Sequence, residues 1–269
     1  MAGKIFGFIS IKGGVGKTTS VINLAHTLVN DFGKTVLVVD CNFSSPNIAL
    51  QMGVSSYSRT IHHVLSNKTN INNAVYGSQS GFHFIPGSLD YEKINPMNLK
   101  KHLDSLKKHY DVILLDSSPT LNEEMLATIV SADELFVITT PDIMTLSTTI
   151  KAINSAKQKN MNISGIIINK FKNKRYELSE KDIETLTKVP VISKIPNNIR
   201  VHESIAKLKP MVSLNKDSNA SISFKKLASY LINANYREPS GLIKMKGYLK
   251  DDYNNFMHHN FKSRLKYHH

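Results

Sequence analysis

The densest chemistry in the chain lies in nine consecutive residues, Ile11-Lys12-Gly13-Gly14-Val15-Gly16-Lys17-Thr18-Thr19. Three glycines allow a backbone to approach an anion with no Cβ in the way. An apolar run precedes them and a helix-period segment follows, which turns backbone N–H groups toward the anion at the positive end of the helix. In this pattern Lys17 reaches the β- and γ-phosphates of a nucleotide, Thr18 ligates Mg²⁺, and Thr19 binds phosphate through its hydroxyl or N–H. The common loop reads G-x-x-x-x-G-K-[ST], and this one departs from it. Ile11 stands where the first glycine belongs, and a second lysine, Lys12, follows at once.

Two aspartates close apolar runs: Asp40 ends VLVVD and Asp116 ends YDVILLD. Strand carboxyl ends in an open parallel sheet converge on one ligand crevice, so both carboxylates are expected to face a metal ion. The structural alternative for each is a cap or turn residue, and the glycine loop upstream weighs against it.

These residues need a scaffold. Apolar runs at Ile5–Ile9, Thr35–Val39, Phe82–Ile85, Val112–Leu115, Leu135–Thr139, Ile163–Ile168 and Val189–Ser193 alternate with helix-period segments. The helical segments are Lys17–Val29, Leu99–Lys108, Glu123–Ser131, Leu146–Lys159, Ser179–Lys188, Val201–Lys207 and Ile222–Asn233. Continuous β-branched runs separated by helices predict an α/β fold of three layers, a mostly parallel twisted sheet covered on both faces. The stretch from Val54 to Ser80 is polar and carries the weakest pattern.

At 269 residues the chain suits one large α/β domain or two small ones. No run approaches the ~20 apolar residues of a membrane span, and the start reads as strand entry rather than a signal peptide. A lone cysteine, Cys41, excludes an internal disulfide and a cysteine metal site. A cytoplasmic protein is expected. The formal charge of +13 favours polyanionic partners, set against a merely solvated basic surface. The excess is uneven: no acid falls between Asp142 and Glu177, where Lys151, Lys157, Lys159, Lys170, Lys172, Lys174 and Arg175 lie.

The motif set KGGVGKTT, VLVVDCNFSSPNIAL and YDVILLDSSPT resembles the deviant Walker A ATPases of the MinD/ParA family. The similarity runs from about Lys4 to Leu231 and includes FHFIPGS, ELFVITTPDIMTLSTTIKAI, GIIINK and VISKIPNNIRVHESI in family order. It implies a P-loop ATPase domain over 1–238 that binds ATP and Mg²⁺ and dimerises around ATP. Lys12 matches the signature lysine, which crosses a two-fold interface to the partner's phosphates, the part an arginine finger plays elsewhere. Asn169 matches the asparagine that bonds the adenine edge. Pro196, Asn197 and Asn198 match the segment lining the base, with amides where the family often has an acid.

One departure bears on catalysis. The family commonly carries D-x-D after the second strand, its second aspartate positioning the attacking water, and this chain reads Asp40-Cys41-Asn42. An amide orients water through its oxygen but does not accept its proton as a carboxylate does, so slow hydrolysis is expected. SSPNIAL looks more like the MinD-type continuation, whereas the acid-free basic stretch fits the nonspecific DNA binding typical of ParA-type relatives. The expected role is an ATP-switched positioning or partitioning protein, acting on an anionic membrane surface or on nonspecific DNA, with an activating or cargo protein as further partner. A near-non-hydrolysing switch is the alternative. Iron–sulfur carrier relatives need paired cysteines, and tyrosine-kinase relatives carry a C-terminal tyrosine cluster; Tyr236, Tyr248, Tyr253 and Tyr267 are scattered. The segment 239–269 reads as a basic tail with Leu242, Met245, Leu249, Tyr253, Phe256 and Met257 on one helical face, interrupted by Gly247. It suits a helix docked on its own domain, or one meeting a partner or an anionic membrane.

Overall fold

A computed structural model describes residues 3–54, 56–90 and 92–238; the tail expected over 239–269 lies outside the described residues. The strands are β1 (Lys4–Ile9), β2 (Val36–Cys41), β3 (Tyr76–Gly77), β4 (His83–Ile85), β5 (Val112–Ser117), β6 (Glu134–Thr139), β7 (Ile163–Phe171) and β8 (Val191–Pro196). They form one sheet in the order β3-β4-β2-β5-β1-β6-β7-β8, parallel throughout except for the edge pair β3–β4. The chain steps from β1 over β5 to β2, and later from β5 over β1 to β6. The carboxyl ends of these central strands therefore open on a common crevice, where open α/β sheets bind ligands.

Helices cover both faces. They are α1 (Lys17–Asn30), α2 (Ile48–Gln51), α3 (Ile61–Leu65), α4 (Leu99–Asp104), α5 (Glu123–Ser131), α6 (Ile143–Gln158), α7 (Glu180–Thr187), α8 (Arg200–Ala206), α9 (Met211–Leu214) and α10 (Asn219–Leu231). Alternation along each strand divides the core. Phe6, Phe8, Val38, Leu114 and Phe136 face α1, α9 and α10, whereas Ile5, Ile9, Val39, Leu115 and Val137 face α4, α5, α6 and α7. Among the described residues no helix is long and apolar enough to cross a membrane.

Most expected elements are present, with shifted ends. The helix expected over Leu99–Lys108 stops at Asp104, and the last strand moves from Val189–Ser193 to Val191–Pro196. The weakly patterned stretch holds α3, a 3₁₀ turn at Ile71–Ala74 and the edge strand β3. Thr60 and His63 cap α3: the His63 Nδ1 takes the Thr60 N–H at 3.2 Å.

Candidate functional site

Gly16 ends the loop in a left-handed conformation (φ 89°), and α1 starts at the next residue with no side-chain cap and no acid in its first turn. Elsewhere Asn122, Asp142, Ser179 and Ser218 cap α5, α6, α7 and α10. The first N–H groups of α1 are thus left for an anion. Gly16 is required twice over, since an added Cβ would lie 2.4 Å from the Asn169 Nδ2. A cavity of about 190 Å³ lies over the loop, lined by Lys12 to Thr19 and, from the facing side, by Asn42, Asn47 and Pro119.

Beneath the loop, β2 and β5 run in register and place Asp40 beside Asp116, both fully buried. The Asp116 carboxylate accepts from the Lys17 ammonium at 2.8 Å and from the Thr18 hydroxyl at 2.6 Å. Lys17 also donates to the Ser117 carbonyl. Asp40 is held differently. Its Oδ2 accepts the N–H groups of Asn47 (2.8 Å) and Ile48 (2.9 Å), and its Oδ1 accepts that of Asn42 (3.2 Å). Burial, then the neighbouring charge of Asp116, pushes the Asp40 carboxyl up to about 7 against these three bonds.

The set fits a divalent cation. Hard cations such as Mg²⁺ take oxygen ligands; here a hydroxyl and a carboxylate meet at a helix start. The raised Asp40 beside Asp116 is a pair of crowded carboxylates that added positive charge would relieve. Of the expected ligands, Thr18 and Asp116 already touch, while Asp40 spends its oxygens on the loop after β2. No group of three His, Cys, Asp or Glu suited to a metal occurs among the described residues; the set here is two carboxylates and a hydroxyl.

Asn42 is buried, lines the cavity over the loop, and donates from its Nδ2 to the Ser45 carbonyl. Lys12 turns away from the loop. Its ammonium donates to the Thr145 hydroxyl (2.7 Å) and pairs with Asp142 (3.4 Å) at the start of α6. Burial alone would raise the Asp142 carboxyl, but bonds from Thr140 and Thr145 with the Lys12 charge bring it to about 2.

A second cavity, about 260 Å³, opens on the other side of the loop. Asn169, Pro196, Asn197 and Asn198 all line it, with Ile195 and Phe224 as apolar walls, so the four residues expected at a base come together. The Asn169 Nδ2 donates to the Val15 carbonyl at 2.7 Å.

Three contacts had no signal in the sequence. Lys170 donates to the Gly14 carbonyl at 2.6 Å. Buried His62 bridges the Phe43 carbonyl (3.0 Å) and the Ser88 N–H (3.0 Å), tying down the loop after β2. Ser44 bonds Glu124 at the start of α5. Each joins residues far apart in sequence whose types read locally as surface or core.

A parallel sheet whose central strand runs through a glycine loop into an uncapped helix defines a P-loop nucleotide-binding protein. Residues 6–211 match the family described as the CobQ/CobB/MinD/ParA nucleotide binding domain. An ATP-binding protein of Methanocaldococcus jannaschii is 35% identical over 228 residues, covering 84% of this chain and 86% of its own. The solved cell division ATPase MinD of Pyrococcus furiosus is 30% identical, with a TM-score of 0.80, covering 86% of this chain and 99% of its own. The septum site-determining protein MinD of Pyrococcus horikoshii, solved with Mg-ADP, is 30% identical with a TM-score of 0.79, covering 85% and 95%. The chain belongs to the MinD/ParA family of nucleotide-binding proteins.

Proposed function

We propose that this chain is an ATP-switched cytoplasmic ATPase that dimerises around ATP and positions or partitions a cargo inside the cell. The observation that carries the reading is the pairing of two lysines with one phosphate-sized cavity: Lys17 at its base on Asp116, and Lys12 at its lip. Gly13, Gly14, Val15 and Gly16 cradle the phosphates, with Lys17 and Thr19 on their oxygens. Asn169 and the Pro196–Asn198 segment take the base. Thr18, Asp116 and Asp40 would hold Mg²⁺, which supplies charge neutralisation to the phosphates.

Lys12 completes the site in trans. For this it must leave the hydroxyl of buried Thr145 and the Asp142 carboxylate; the ion pair with Asp142 holds it weakly, because both charged partners are more than two-fifths exposed. Asn42 orients water through Oδ1 and leaves the proton without a carboxylate acceptor, so hydrolysis is slow and the ATP-bound dimer long-lived. Light scattering with ATP, with ADP and with neither tests the reading. A dimer with ATP alone, absent in Lys12→Ala, supports it; a mass unchanged by ATP refutes it.

The surface engaged by the dimer is a polyanion. Lys151, Lys157, Lys159, Lys172, Lys174 and Arg175 are exposed around α6 and the end of β7, which favours nonspecific DNA or an anionic membrane. A further activating or cargo protein accounts for the switch being useful.

A further inference from the structure

Lys170 stands at the end of β7 with φ 57°, in the left-handed region that a side chain seldom adopts. The β7–β8 ladder slips register between Ile168 and Phe171, so a bulge surrounds it. Successive side chains of a strand normally point to opposite faces, and a bulge re-aims them. Here two consecutive side chains reach the same loop: Asn169 donates to the Val15 carbonyl and Lys170 to the Gly14 carbonyl. The turn that follows is pinned as well. Glu177 accepts the N–H groups of Lys172 and Lys174, and the Phe171 carbonyl accepts from the Asn197 N–H.

From this arrangement we infer that Lys170 is a positioning residue for the phosphate loop, acting through the Gly14 carbonyl rather than on phosphate itself. In a planar trans peptide the carbonyl and the following N–H point in opposite directions. Holding the Gly14 and Val15 carbonyls toward β7 turns the Val15 and Gly16 N–H groups the other way, into the anion cavity. Two adjacent donors on β7 thereby set two adjacent phosphate-binding amides before any nucleotide arrives. Lys170 lines the base-side cavity and is absent from the lining of the phosphate-side one, which places its charge behind the loop. The inference rests on the nucleotide reading above.

The test compares wild type with Lys170→Gly and Lys170→Arg. Glycine suits the left-handed backbone, so Lys170→Gly removes the ammonium and keeps the turn. Affinities for ATP and ADP are measured by calorimetry at low and high salt, and for adenosine by ligand-observed NMR. Lys170→Gly is expected to weaken ATP and ADP about tenfold, the scale of one charge-assisted hydrogen bond, and to leave adenosine unchanged. The wild-type-to-variant ratio should be the same at both salt concentrations, and Lys170→Arg should restore most of the affinity. Unchanged ATP affinity overturns the inference. So does an equal loss for adenosine, which marks a support of the base pocket, or a ratio that shrinks with salt, which marks direct charge on phosphate. If wild type binds no ATP, the functional reading itself fails, and that result is distinct from all of these.

Discussion

Replacing Asp40 by asparagine should stabilise the nucleotide-free protein at alkaline pH while abolishing its response to Mg²⁺. Asp40 is buried beside Asp116, and its carboxyl is raised from the ordinary 3.8 to about 7. The folded chain therefore holds a proton that the unfolded chain has already released. Stability is complete below about pH 4, falls as pH rises through the window to about 7, and carries the full penalty above it. Across that window the penalty amounts to about 4 kcal/mol. Asparagine removes it, because an amide does not titrate. Its oxygen can still accept from Asn47 and Ile48, but its NH₂ then faces the Asn42 N–H, losing one bond worth about 1 kcal/mol. The net gain at pH 8 is about 3 kcal/mol, or roughly 6–12 °C in melting temperature for a domain of this size. At pH 5 most of the penalty has not yet developed, and the two proteins should agree within about 1 kcal/mol. Thermal melts in EDTA at both pH values, repeated with Mg²⁺ and ATP, read this directly. A variant less stable than wild type at pH 8, or a difference independent of pH, would refute the raised carboxyl that burial and the Asp116 charge give Asp40.

Other consequences are open to simpler measurements. Asn42→Asp should speed single-turnover hydrolysis by about tenfold, since it adds a proton acceptor to a step that positioning already dominates; an unchanged rate with intact ATP binding would remove Asn42 as the brake. Asp142→Asn removes the ion pair that holds Lys12 in the free chain, and ATP-dependent association should tighten by a few-fold, about the worth of an exposed pair; weaker association would show that Asp142 serves the dimer instead. With ATP, the full chain should co-sediment with nonspecific DNA or with anionic vesicles, losing most of that binding as salt rises. Pelleting with neither would leave the +13 charge as a solvated surface.

How much of this was legible beforehand depends on where the information sits. Helix α5 is found at its observed residues because Asn122 caps an uninterrupted apolar period. Strands β1, β2 and β5 are legible because burial on both faces makes them continuous apolar runs. The edge strand Tyr76–Gly77 has two residues, too few to carry a period. Helix α3 is short, and its capping partner is His63 where a glutamate or glutamine would have signalled it. The site divides the same way. Lys17, Thr18 and Asp116 follow from local motifs on adjacent elements. The engagement of Asp40 with Asn47 and Ile48 depends on how SSPNIAL folds back over β2, and the aim of Lys170 depends on a bulge set by β8. Neither is written in the residues nearby.

The most direct test of the central claim is a structure of the full chain with Mg²⁺ and a non-hydrolysable ATP analogue. The expected result is a two-fold dimer in which each Lys12 has left Thr145 and Asp142 and lies against the phosphates held by the other subunit. A nucleotide-bound monomer, or a Lys12 that remains on α6 or reaches only its own nucleotide, would contradict the account.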